Sequence, residues 1–123
     1  MTLILYIEDD AANRVLVRRI LAAEGYTLAE ASNADEAIEA LRINRPDLIL
    51  MDINMPEVDG FTLTKRIKDN PEWQDIPVIA LTANVMKGDR ERVLQAGCDG
   101  YIQKPIDVDA LPRQIANFLP KAT

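Results

Sequence analysis

One recurring pattern limits what this chain can fold into more than any other. A short apolar run stops at a polar residue, and a helical periodicity follows. "TLILYI" (2–7) runs into Glu8-Asp9-Asp10, "DLILMD" (47–52) ends on Asp52, and "IPVIALTA" (76–83) carries Thr82 near its end. Runs this uniformly apolar read as strands buried on both faces, the condition of parallel strands covered by helices. Two weaker runs, "YTLAEA" (26–31) and "GYIQK" (100–104), bring the strands to five.

The intervals read as helices. In "AANRVLVRRILAAEG" (11–25), Leu16, Val17, Ile20 and Leu21 share a face and Gly25 is a stop. "SNADEAIEALRIN" (32–44) opens on a capping box, Ser32 with Asp35 or Asn33 with Glu36. Further helices are expected over 59–69, over 86–96 with Gly97 as cap, and over 109–119 with Leu111, Ile115, Phe118 and Leu119 facing in. Pro112 falls in the first turn of the last helix if Asp109 caps it, and kinks that helix if it starts at Asp107.

Five βα units in 123 residues, with no linker or low-complexity tract, predict one domain over 1–123. Strict alternation implies right-handed crossovers with helices on both faces. Two strand orders suit such a sheet, and five strands favour one of them, so the expected architecture is α/β: a flavodoxin-like (βα)5 three-layer sandwich with a parallel sheet in the order 2-1-3-4-5. In such sheets ligands bind at the carboxyl ends of the strands, beside the switch point between strands 1 and 3.

Composition excludes several classes. A net charge of −6 argues against binding a nucleic-acid backbone. The chain has no His, so any imidazole chemistry must come from a partner. Its one cysteine, Cys98, permits no internal disulfide and fits a reducing compartment. No apolar run approaches the roughly 18 residues of a membrane span, and no signal peptide is visible, so the cytoplasm is the expected location.

The polar residues at the strand ends converge in the 2-1-3-4-5 order. Glu8, Asp9 and Asp10 follow strand 1, Asp52 ends strand 3, Thr82 strand 4 and Lys104-Pro105 strand 5. Crowded carboxylates repel one another, and a hard divalent cation with oxygen ligands relieves that repulsion. Mg²⁺ suits the set, with Asp9 and Asp52 as ligands and the backbone carbonyl of Asn54 completing it. Lys104 offers a compact positive charge and Thr82 a hydroxyl, both suited to phosphoryl oxygens. An Asp carboxylate can attack phosphorus and form an aspartyl phosphate. Singly, an Asp at a strand end is a turn residue, Thr82 a cap and Lys104-Pro105 a turn. It is their coincidence at one edge that points to phosphoryl chemistry.

With "ILYIEDD", "DLILMDINMPEVDG", "IPVIALTA" and "GYIQKPI" in this order, essentially the whole chain resembles the receiver domain of two-component response regulators. The resemblance implies that Asp9 binds Mg²⁺ directly and Glu8 largely through water, and that Mn²⁺ can substitute. It implies Asp52 as phosphoacceptor, Asn54 as the carbonyl ligand, Thr82 as switch hydroxyl, Lys104 as the family's lysine with a cis bond to Pro105, and Tyr101 as the aromatic whose rotamer follows Thr82. Asn54 and Asn84 stand where the family tunes phosphoryl loss. A histidine kinase or histidine phosphotransfer protein would donate the phosphoryl group. The surface of the fourth helix, fifth strand and fifth helix would then engage a downstream protein, pass the group on or form a homodimer. Such a protein is a switch that assists its own phosphorylation and dephosphorylation, not an enzyme. It is expected as a stand-alone regulator or as a receiver excised from a hybrid kinase.

Three rival classes share part of this pattern. A phosphatase of the haloacid-dehalogenase type carries a second acid two residues after the nucleophile, where this chain has Asn54. A flavodoxin-like carrier of FMN needs a Gly- and hydroxyl-rich loop after strand 1, where this chain has acids. A binding module without phosphorylation would lack part of the constellation. Trp73, before strand 4, is expected at the end opposite the site.

Overall fold

The computed structural model describes residues 2–53, 60–82 and 89–119. Ten elements alternate along the chain: β1 (Leu3–Ile7), α1 (Ala11–Ala23), β2 (Thr27–Ala31), α2 (Ala34–Ile43), β3 (Leu48–Asp52), α3 (Gly60–Asp69), β4 (Val78–Thr82), α4 (Asp89–Gln95), β5 (Gly100–Gln103) and α5 (Leu111–Phe118). The five strands are parallel in the order β2-β1-β3-β4-β5. Architecture and order are those expected from the alternating pattern.

Both faces of the sheet are covered, which explains the continuous apolar runs. Leu5, Ile7, Ile49, Met51, Val78 and Ala80 pack toward α2, α3 and α4, with Ile38, Leu63, Ile67 and Val93 opposite them. The alternate residues Ile4, Tyr6, Leu48, Leu50, Ile79, Leu81 and Ile102 pack toward α1 and α5, against Val17, Leu21, Leu111 and Ile115. Each fully buried aliphatic side chain contributes about 1.5–3 kcal/mol, so the two cores hold the central strands rigidly. Every residue of β3 and β4 is buried, while β2, at one edge, is largely half-exposed.

Local chemistry decides the helix ends. Asp10 caps α1, accepting hydrogen bonds from the amides of Ala12 (2.8 Å) and Asn13 (3.3 Å). Of the two caps open for α2, Asn33 is the one used: its side chain accepts from the Glu36 amide at 2.8 Å, and Glu36 reaches back to the amide and hydroxyl of Ser32. Gly25 and Gly97 take φ of +85° and +102°, the left-handed conformation that ends α1 and α4.

Two expectations change. Leu16 is 38% exposed, because Val17 and Leu21 already fill the contact with the sheet. The start of α5 follows neither alternative: Asp107 accepts from the amides of Asp109 and Ala110, making a turn that leads into the helix. Pro112 then lies in the first turn of α5, where its missing N–H costs nothing.

Candidate functional site

Side-chain parity assembles the site. Tyr6 pairs with Leu50 across β1 and β3, and both face α1 and α5. Glu8 and Asp52 lie two residues further along their strands, so they share that face. Asp52, Thr82 and Lys104 are brought together with Glu8 and Asp9 at the carboxyl edge, as the order 2-1-3-4-5 requires. Asn54 and Asn84 lie outside the described residues.

Glu8 is 1% exposed, Asp52 3% and Thr82 fully buried. Asp9, by contrast, is exposed. One carboxylate oxygen each from Glu8, Asp9 and Asp52 lies within 4.8 Å of the others. The Lys104 ammonium stands 3.0 Å from Asp52 Oδ1 and supplies positive charge on the far side. Lys104 is held in turn by its backbone amide, which donates to the Thr82 carbonyl at 2.8 Å, and its bond to Pro105 is cis. Tyr101 is half-buried on β5, packed on the α2–α3–α4 side.

One cation does not neutralise three acids. Glu8 is pushed up to about 8, first by burial and then by the Asp52 carboxylate beside it. Its Oε2 is buried without a hydrogen-bond partner among the described residues. An orphaned carboxylate oxygen in an all-oxygen cluster is what a hard divalent cation satisfies, so the residues present fit a metal.

Three neighbours of the site escaped the reading of the sequence. The Asn13 amide donates to Glu8 Oε1 at 2.8 Å, and the Arg14 guanidinium donates to the Glu8 carbonyl at 2.7 Å. Beneath the acids lies Tyr6, fully buried, with its hydroxyl unpartnered among the described residues. Burial and the charges of Glu8 and Asp52 hold that phenol far above its ordinary range. An aromatic in an otherwise aliphatic strand, and an Asn-Arg pair just past the cap of α1, were the available signals.

Comparison with known proteins agrees with this geometry. The family model for the response regulator receiver domain matches residues 4–116. The polar-differentiation response regulator DivK of Brucella anthropi is 46% identical over 119 residues, covering 97% of each chain. Among solved structures, the chemotaxis response regulator CheY4 of Vibrio cholerae superposes with a TM-score of 0.90 at 25% identity, covering 97% of this chain and 99% of that one. The receiver domain of the sensor histidine kinase PA1611 from Pseudomonas aeruginosa, solved with a magnesium ion in its active-site cleft, superposes with a TM-score of 0.86 at 34% identity, covering 95% and 96% of the two chains.

Proposed function

The chain belongs to the response regulator receiver family, and on that premise we propose that Asp52 is its phosphoacceptor and Mg²⁺ its metal. A phosphoacceptor role in two-component signalling goes with the family, as do a histidine kinase partner and a downstream effector in general. The phosphatase and the unphosphorylated binding module are not favoured by these relatives. Among the described residues no helix is long and apolar enough to cross a membrane.

The observation that carries the assignment is the placement of Asp52. It is a buried carboxylate at the end of a fully buried strand, 3.0 Å from Lys104 and in ligand reach of Glu8 and Asp9. A nucleophile so held pays little orientational entropy at the moment of transfer. Asp9 and Asp52 would bind the metal, with Glu8 acting largely through water and the Asn54 carbonyl as a further ligand. When bound, Mg²⁺ neutralises charge on the phosphoryl oxygens.

The rest falls to the protein's own residues. An Asp52 oxygen attacks the phosphorus of a partner's phosphohistidine. The P–O bond forms as the P–N bond breaks, and the departing imidazole keeps the electron pair and takes up a proton from solvent. Lys104 holds one phosphoryl oxygen. Thr82 moves to donate its hydroxyl to another, and Tyr101 follows into the space Thr82 leaves. The α4–β5–α5 surface then changes its preference for partners, a biased two-state equilibrium. Residues 1–123 act as one receiver unit. The cation at PA1611's cleft, in a chain 34% identical, supports Mg²⁺ as the metal here.

Intact-mass spectrometry with acetyl phosphate tests this reading. One phosphoryl group should add in the presence of Mg²⁺ and be absent without Mg²⁺ or in Asp52→Asn. An equal adduct in Asp52→Asn would overturn it.

A further inference from the structure

Asn13 is accounted for neither by the fold nor by the phosphoryl chemistry. It sits in the first turn of α1, with its backbone amide already satisfied by Asp10. Its side chain turns back to the strand end and donates Nδ2–H to Glu8 Oε1 at 2.8 Å. The next residue, Arg14, grips the Glu8 carbonyl at 2.7 Å. One turn of α1 therefore holds Glu8 by both main chain and side chain.

A carboxylate on a long stem rotates in a broad, two-fold well, so an unrestrained Glu8 would present either oxygen in several directions. With Oε1 engaged by Asn13, Oε2 is left buried and without a donor among the described residues, beside the oxygens of Asp9 and Asp52. A neutral amide is the donor suited to this task. A Lys or Arg there would compete with a cation for the same acids, as an amide does not.

We propose that Asn13 is a positioning residue that fixes the Glu8 carboxylate so that Oε2 faces the cation held between Glu8, Asp9 and Asp52. The assignment rests on the metal site proposed above. Partners of this kind, which orient a carboxylate of the metal site without touching the metal, typically change its affinity 10–100-fold. Asn13 is half-exposed at the rim of a cavity lined also by Leu16, Lys104, Pro105 and Ile106, so substitution there leaves both cores untouched.

The test is titration of the unphosphorylated protein with Mg²⁺ alone, followed by backbone amide shifts at Glu8, Asp9 and Asp52. The parent, Asn13→Leu, Glu8→Ala and the double variant form a cycle. Asn13→Leu should weaken Mg²⁺ binding roughly tenfold. In the Glu8→Ala background it should change nothing further. Asn13→Gln, which keeps an amide donor, should recover part of the affinity. Parent-like affinity in Asn13→Leu would overturn the proposal, and so would an equal loss in the Glu8→Ala background. If Asn13→Leu fails to fold, Asn13→Ala takes its place in the cycle. A parent that binds no Mg²⁺ would instead overturn the metal site itself, which keeps the two failures distinct.

Discussion

In metal-free protein, stability should fall as pH rises from 5 to 8, and Glu8 is the cause. The folded carboxyl titrates near 8 because it is buried beside Asp52, whereas the unfolded chain's titrates near 4.5. A raised pKa means that the folded state binds the extra proton. Its stabilising contribution is complete below the unfolded value and is lost as pH climbs through the folded one. One pKa unit is worth about 1.4 kcal/mol, so the loss between pH 5 and 8 is on the order of 3–4 kcal/mol. For a domain this size that lowers the unfolding midpoint by about 10–15 °C. Glu36, held below the ordinary carboxylate range by Ser32, has contributed fully before the window opens. Thermal unfolding followed by circular dichroism in EDTA, at several pH values, reads the slope directly. Saturating Mg²⁺ should flatten it, since the cation replaces the proton, and Glu8→Gln should flatten it without metal. A metal-free profile level across this window, or an unchanged slope in Glu8→Gln, would show that Glu8 does not carry the pH dependence.

Other consequences are as direct. Gly100→Ala should destabilise by about 1–3 kcal/mol in urea unfolding, because a Cβ there would collide with the Phe118 ring and push α5 off β5; a loss below about 0.5 kcal/mol would show that the ring moves freely. Lys104→Met removes the cation 3.0 Å from Asp52, so phosphorylation by acetyl phosphate should slow at least about tenfold while Mg²⁺ still binds; an unchanged rate would remove Lys104 from the chemistry. Trp73 is buried in the turn before Val78, at the end of β4 away from Thr82, so its emission should stay constant through a Mg²⁺ titration, and a large change would contradict that placement.

Much of this was legible in the residues because burial writes itself into long patterns. β3 and β4 are buried on both faces and read as unbroken apolar runs, and of the two orders open to an alternating chain the one that five strands favour is the one found. The strand-end acids, Thr82 and Lys104 could be placed because strand ends are set by topology, without any side-chain detail. What could not be read depends on local competition among short polar side chains. Asn33 rather than Ser32 caps α2 because Glu36 reaches back to occupy Ser32. Asp107 draws the chain into a turn that places Pro112 harmlessly. Leu16 matched the apolar face by period, yet the sheet contact was already filled by Val17 and Leu21. Asn13 and Arg14 look like ordinary polar residues of a surface helix; only the fold brings them onto Glu8.

On the proposed reading Asp52, alone among the clustered acids, takes the phosphoryl group. The most direct test is to treat the phosphorylated protein with borohydride, which reduces an acyl phosphate to the alcohol and leaves free carboxylates intact, and to map the reduced residue by peptide mass spectrometry. The expected product is homoserine at position 52, with Glu8, Asp9 and Asp10 unmodified. Reduction at Glu8, Asp9 or Asp10, with Asp52 intact, would overturn that assignment.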